Sequence, residues 1–261
     1  MLLAVDVGNT QTVIGVFRGE ELCHRWRFAT NKSHTGDDLR VKLMALLNGE
    51  GISFDQLGGM ALASVVPHLT DAWDEVSYSL TKTPALVCTA QTAGELFSTN
   101  YPRPSEIGSD RIADAVAARA SYGAPVIVVD FGTATNIEVI DEQGSFCGGV
   151  IAPGLETAAH ALFNQASMLA GIHFVDPETA IGTNTAQALQ IGILYGEADR
   201  ADGLIRRVFD QLGYTAPVIA TGGLSVRIAP HSQTITQVDR NLTLLGLRLV
   251  FEHNLAATAN A

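Results

Sequence analysis

Short apolar runs broken by polar turns set the opening of the chain. Leu2 to Val5 reads as a strand, Asp6-Val7-Gly8-Asn9-Thr10 as a tight turn, and Thr12 to Phe17 as the returning strand. Apolar runs on either side of a Gly/Asn turn predict a hairpin. After a polar stretch, Thr35 with Asp38 three residues on predicts a capped helix start, and the helix runs to about Leu47. Met60 to Val66, closed by Pro67, and Pro84 to Cys88 predict two further strands.

Near the middle the opening pattern returns. Val126 to Val129 is a strand, Asp130-Phe131-Gly132-Thr133 a turn, and Asn136 to Ile140 the returning strand. Superposing Asp130 on Asp6 also matches Gly132 to Gly8, Thr133 to Asn9 and Ile137 to Val13. Pro217 to Ala220, ending in Thr221-Gly222-Gly223, stands in the second half as Met60 to Val66 does in the first. Leu242, Leu245, Leu249 and Val250 fall on one face of a terminal helix. A strand–turn–strand that opens both halves points to an internal duplication. The boundary is expected within 105–120, inside or beside a helix, dividing the chain into domains 1–112 and 113–261.

Composition narrows the classes of function. Hydrophobic residues at 47% and charged residues at 16% are those of a folded globular protein. A net charge of −11 disfavours nucleic acid and anionic membranes as partners, so an anionic ligand needs a local concentration of positive charge. Cys23, Cys88 and Cys147 are far apart and odd in number, with neither a disulfide framework nor zinc spacing, which fits a reducing compartment. Residues 1–8 meet an aspartate too early for a signal peptide, and the uncharged stretch from Ala161 to Val175 carries too many polar residues for a membrane span. The expectation is a cytoplasmic protein. His24, His34, His68, His160, His173, His231 and His253 show no ligand spacing, and neither a GxSxG elbow nor a Walker A loop is present.

Three constellations carry candidate chemistry. In the first, Asp6 and Asp130 each end an apolar strand, where a carboxylate is costly unless a cation or hydrogen-bond donors meet it. Gly8 and Gly132 let backbone N–H groups approach a ligand, and Asn9, Thr10, Thr12 and Thr133 suit phosphate oxygens. Two such turns facing each other across a pseudo-two-fold would flank a nucleotide's phosphates. Two carboxylates there require metal ions between them and the phosphates. A single turn of this kind is better explained by an aspartate that caps a hairpin, and the pair reverses that preference.

The second constellation runs from Tyr101-Pro102-Arg103-Pro104 through Ile107-Gly108-Ser109-Asp110-Arg111 into a helix, Ile112 to Ser121. Asp110 at a helix N-terminus can take a substrate hydroxyl's proton or align it for attack on a γ-phosphoryl group, and Arg111 can hold an anion. The helix dipole is expected to lower the pKa of Asp110. The bland alternative makes Ser109 or Asp110 an N-cap and Arg111 a solvated charge. The third constellation is glycine punctuation: Gly148-Gly149, Pro153-Gly154, Gly182-Thr183-Asn184-Thr185 and Thr221-Gly222-Gly223. Bare backbone at the Gly-Gly pair suits a base or ribose, though ordinary turns explain such glycines equally well. Thr185 either meets a ligand or caps a helix from Ala186 to Tyr195.

Together, Asp6-Val7-Gly8-Asn9-Thr10, Tyr101 to Arg111, Asp130-Phe131-Gly132-Thr133 and Gly148 to Gly154 resemble the type III pantothenate kinases in order and spacing over essentially the whole chain. The resemblance implies an α/β fold: the duplicated sugar-kinase/actin (ribonuclease H-like) architecture, two related domains with the active site in the cleft between them. It implies transfer of the ATP γ-phosphoryl group to pantothenate, giving 4′-phosphopantothenate, with Asp110 as proton acceptor. It places Asp6, Val7, Gly8, Asn9, Thr10, Gln11, Thr12, Val13 and Thr133 on ATP, and Tyr101, Gly108, Ser109, Asp110, Arg111 and Thr185 on pantothenate. Asp6 would serve a divalent ion, Mg2+ or similar, through phosphates or water, and Asp130 would bind K+ or NH4+. The Thr221-Gly222-Gly223 turn would meet adenosine, and the protein would be a homodimer. Two other readings keep the fold: a kinase or phosphatase with a different substrate, and a non-catalytic accessory factor, which the intact Asp6, Asp110 and Asp130 disfavour.

Overall fold

The same burial sequence opens both halves. Leu2–Val7 and Val126–Phe131 each run four buried residues, a part-buried aspartate, then a buried residue. A computed structural model of the chain describes residues 1–165 and 175–259. His173 and most of the uncharged 161–175 stretch lie outside the described residues. In chain order the elements are β1 (Leu2–Val7), β2 (Gln11–Arg18), β3 (Glu21–Ala29), α1 (Gly36–Gly49), β4 (Gly59–Ser64), α2 (Pro67–Thr81), β5 (Leu86–Val87), α3 (Ala90–Ala93), β6 (Ser98–Thr99) and α4 (Ser109–Tyr122). They continue with β7 (Val126–Phe131), β8 (Ala134–Ile140), β9 (Ser145–Pro153), α5 (Leu155–Gln165), α6 (Thr185–Leu212), β10 (Val218–Thr221), α7 (Ser225–Ile228), β11 (Gln237–Val238) and α8 (Leu242–Ala259). Among the described residues, no helix is long and apolar enough to cross a membrane.

The chain divides into two compact units, Met1–Ser121 with the chain from Asn241 onward, and Tyr122–Arg240. The boundary expected at 112/113 falls inside α4, whose buried face (Ile112, Ala113, Val116, Ala117) is continuous. The second difference is α8, expected in the second domain. It packs on β1 and β4 of the first unit, and Asn254 Nδ2 donates to Thr92 O at 2.7 Å. A Cβ on Gly246 would lie 2.5 Å from the Ala113 carbonyl carbon, so α8 crosses α4 with backbones in contact. Leu242, Leu244, Leu247 and Val250 are its buried apolar side chains, while the expected Leu245 and Leu249 are only part-buried.

In the first unit the strand order is β3-β2-β1-β4-β5: an antiparallel meander of β1, β2 and β3, then parallel β4 and β5. Leu39, Leu43 and Leu47 of α1 and Trp73 of α2 close on Val5, Val7 and Ile14. Each such burial is worth about 1.5–3 kcal/mol. The predicted capping box starts α1: Thr35 Oγ1 accepts from Asp38 N, and Thr35 N donates to Asp38 Oδ2 at 3.0 Å. In the second unit β9-β8-β7-β10-β11 repeats the order strand for strand, with β7, β8 and β9 antiparallel and β10 and β11 parallel. Ile127, Val129, Ile137 and Val218 meet Leu194, Ala198, Ala201 and Ile205 of α6 in its core. The duplication read from two short turns therefore extends to ten strands, five in each unit.

The register corrects one detail. Asp6 pairs with Val13, whereas Asp130 pairs with Asn136. The second turn is one residue shorter, so beyond it Val13 corresponds to Asn136 and not to Ile137. The same shift aligns Thr12 with Thr135, both buried.

Candidate active site

In the first unit, β1 ends at Val7 because the turn takes over its hydrogen bonding: Gly8 N donates to Gln11 O at 3.0 Å. Gly8 does not need a left-handed φ, and a Cβ there would meet Gln11 O at 3.0 Å. Thr30 Oγ1 donates to Gly8 O at 2.9 Å, Thr30 N donates to Thr10 O at 2.8 Å, and Lys32 Nζ donates to Asn9 Oδ1 at 3.0 Å. The turn thus displays Asn9, Thr10 and Gln11 to solvent on a fixed main chain.

Helix α4 starts from Gly108, whose carbonyl accepts from Ile112 N at 3.1 Å. Neither Ser109 nor Asp110 is the N-cap. Ser109 Oγ accepts from Ser64 N at 2.8 Å and donates to Ser64 O at 3.2 Å, joining the helix to the end of β4. Asp110 Oδ1 accepts from Arg111 N at 2.9 Å. It folds back over Gly108, where a Cβ would sit 2.5 Å from the same oxygen. The expected fall in the Asp110 pKa is reversed. Burial pushes the carboxylate above its ordinary value of 3.8, and the Arg111 N–H and guanidinium offset only part of that. Desolvation of the anion outweighs the hydrogen bonds and the Arg111 charge that favour it. Cys88, buried nearby, has its thiol pushed up to about 12 by burial and by the charges of Asp110 and Asp114. All three cysteines are free thiols.

In the second unit the glycines gather around the Asp130 turn. Gly132 N donates to Ala134 O at 3.0 Å. A Cβ on Gly154 would collide with the Gly132 carbonyl and lie 2.7 Å from Thr133 O. Gly154 N and Thr157 Oγ1 both donate to Thr133 O, at 3.0 and 2.6 Å. Gly222, at φ +88°, packs against the Asp130 carboxylate, and a Cβ there would lie 2.6 Å from Phe131 O. Leu224 N donates to Phe131 O at 3.2 Å. Behind the turn, Thr135 Oγ1 donates to the buried Glu197 at 2.5 Å, and Arg200 pairs with Glu197 and donates to Pro153 O. A cavity of about 360 Å3 adjoins this pair between α5 and α6, walled by Leu155, Leu162, Leu189 and Ile193. Among the described residues, no group of three or more His, Cys, Asp or Glu side chains is arranged to hold a metal ion.

The family model for type III pantothenate kinase matches residues 2–207. The chain belongs to the type III pantothenate kinase family. The type III pantothenate kinase of Thermomicrobium roseum is 44% identical over 254 residues, covering 97% of each chain. Among solved structures, the ADPNP-bound activator of the 2-hydroxyisocaproyl-CoA dehydratase from Clostridium difficile superposes with a TM-score of 0.60 at 12% identity, over 100% of this chain and 97% of that one. A ROK hexokinase from Thermus thermophilus gives 0.52 at 12% identity, over 98% and 99%. These likenesses carry the fold alone, the duplicated sugar-kinase/actin architecture, in agreement with the repeated strand order.

The residues expected to serve this family's chemistry are placed unevenly. Of 6–13, Val7 and Thr12 are buried, Thr12 Oγ1 sharing a hydrogen bond with Thr30 Oγ1 at 2.9 Å, so only their main chain is available to a ligand. Asp6, Gly8 and Val13 are part-buried. Tyr101, Thr133 and Thr185 are exposed. The helix expected over Ala186 to Tyr195 extends over Thr185–Leu212, and its cap is Asn184, which accepts from Gln187 N at 2.9 Å. Thr185 is thereby left out of the cap. Gly148 and Gly149 lie within β9, opposite Val139 and the buried Glu138, and form no turn. Sequence reasoning missed Glu197 and Arg200. Their i, i+3 spacing on a helix reads as a solvated pair, and nothing local signals that Thr135 and Pro153 cover it.

Proposed function

We propose that this chain phosphorylates pantothenate with ATP, giving 4′-phosphopantothenate, the first step of coenzyme A biosynthesis. Family membership over nearly the whole chain supplies the substrate class. The observation in the molecule that carries the chemistry is Asp110: a part-buried carboxylate, raised in pKa, held by its own helix start next to Arg111. Such a carboxylate is a better proton acceptor than an exposed one and can align the pantothenate hydroxyl for in-line attack. A loose phosphoryl-transfer transition state asks chiefly for this alignment. Tyr101 and the 108–111 segment of the first unit serve pantothenate, with Arg111 toward the substrate carboxylate.

The Asp6 turn holds ATP phosphates through its main chain and through Asn9, Thr10 and Gln11. One carboxylate suits a divalent ion such as Mg2+, which keeps most of its ligands from phosphate and water. When bound, that ion offsets the charge on the phosphates. Asp130, set among the carbonyls of its own turn, offers hard oxygens suited to K+ or NH4+. The protein acts as a cytoplasmic homodimer, and three free thiols fit a reducing compartment.

The test is a coupled assay of purified protein with ATP, with and without potassium, against pantothenate and a panel of hexoses and small carboxylic acids. Turnover on pantothenate that rises with potassium is expected. Turnover on a hexose but none on pantothenate would refute the reading.

A further inference from the structure

Ser109 lies in the segment given above to pantothenate, yet its side chain is committed elsewhere. The hydroxyl both accepts from Ser64 N at 2.8 Å and donates to Ser64 O at 3.2 Å, so its one proton and an oxygen lone pair are spent on a single residue. Ser64 is in turn fixed by its own loop: its Oγ donates to Val66 O at 3.1 Å and accepts from Val66 N at 3.2 Å. Val65 N donates to Val7 O at 3.1 Å, which ties the same loop to the residue after Asp6. A continuous path therefore runs from the Asp6 strand end through residues 64–66 to Ser109, the neighbour of Asp110, entirely within the first unit.

We propose that Ser109 is a positioning residue: its hydroxyl locks the first turn of α4 to the end of β4 and so fixes Asp110 relative to the turn that begins at Asp6. This rests on Asp110 being the proton acceptor. The side chain of Ser109 does not contact pantothenate; its segment serves the substrate through Gly108, Asp110, Arg111 and main chain. The physical demand is clear, because in-line transfer tolerates little displacement. A misplacement of about 1 Å lowers rates about 100-fold. Without the Ser109 hydroxyl, Ser64 N and O lose their partner and α4 is free to shift along β4, carrying Asp110 with it.

The experiment is a double-mutant cycle of Ser109→Ala and Asp110→Asn, with Ser109→Thr as the conservative variant, all measured for kcat and for KM of both substrates. Ser109→Ala is expected to lower kcat about 10- to 100-fold with KM for pantothenate nearly unchanged. Ser109→Thr, which keeps the hydroxyl, restores most of it. In the Asp110→Asn background Ser109→Ala is expected to have no further effect, a result that a general loss of structure would not give. Three outcomes overturn the proposal: wild-type kcat in Ser109→Ala, a raised KM for pantothenate with kcat unchanged, or an added loss of the same size in the Asp110→Asn background. If Asp110→Asn itself turns over like wild type, the underlying assignment of Asp110 fails, and that result is distinct from the other three. Should Ser109→Ala not fold, Ser109→Cys, close in size and weaker as a hydrogen-bonding group, takes its place in the cycle.

Discussion

In the first hairpin three residues, Gly8, Asn9 and Thr10, separate β1 from β2, and side chains from 30–32 hold them. In the second hairpin two residues, Gly132 and Thr133, separate β7 from β8; main chain from Gly154 closes on them, and Gly222 lies against Asp130 and Phe131. The strands beneath are the same in order and burial, and Thr12 matches Thr135 at the same register. Yet Thr12 meets a neutral hydroxyl, whereas Thr135 meets a buried carboxylate paired with an arginine. Residues at the end of the next parallel strand diverge as well. Ser64 gives its peptide to Ser109, while Gly222 is bare and lies on Asp130. Duplication thus preserved the frame and changed what the frame presents: a polar, side-chain-rich turn in one unit and a carboxylate walled by backbone in the other.

The largest expected effect tests the polar side of this contrast. Asp110→Asn should lower kcat by about 10²- to 10⁴-fold while ATP binding, followed by titration, is retained. Because burial raises the Asp110 pKa, the acid limb of the wild-type pH–rate profile should lie above the ordinary 3.8. The sign for stability is opposite to that for activity. A raised carboxylate pKa favours the protonated form in the fold, so stability falls as pH rises through it, and Asp110→Asn should melt higher than wild type near neutrality, by a margin that narrows toward acid.

Next comes Gly222→Ala, expected to destabilise by about 2–3 kcal/mol in denaturant titrations, since its φ is positive and its Cβ meets backbone and the Asp130 carboxylate. Gly8→Ala, with one 3.0 Å contact, should cost about 1 kcal/mol. Equal losses would mean that the two turns are held alike. Asp130→Asn should weaken activation by potassium or ammonium about 10-fold or more, while Asp6→Asn should leave that response intact and alter the divalent requirement. An unchanged cation response in Asp130→Asn would remove the ion from that turn. The smallest effect is Thr35→Ala, which removes the cap of α1 for about 1 kcal/mol with turnover unaffected.

What the sequence made legible was local. The apolar runs of β1, β2, β4, β7, β8 and β10, the capping box of α1 and the two aspartate turns were all visible from neighbouring residues. β3 was read as a polar stretch because it is an edge strand whose residues are half-exposed, so Arg25 and Arg27 alternate with Trp26 and Phe28 without an apolar run. β9 was hidden by Gly148 and Gly149, which are paired within the ladder although its register shifts just beyond Gly148. At the site, the presence of Asp110 was legible but the direction of its pKa was not, because a dipole can be read from a helix start and desolvation cannot. The same limit applies to Gly154 and Gly222: each looks like an ordinary turn glycine, and only the distant Asp130 turn, brought against them by the sheet, explains why a side chain there would collide.

The return of α8 to the first unit has a consequence for biosynthesis. Residues 122–240 form a contiguous body that can complete its core as soon as it leaves the ribosome. The earlier-made segment cannot, because the outer side of β1 and β4, including the gap at Gly59 that receives the Phe251 ring, stays bare until 242–259 emerge. The half of the molecule translated first is therefore the half that finishes folding last.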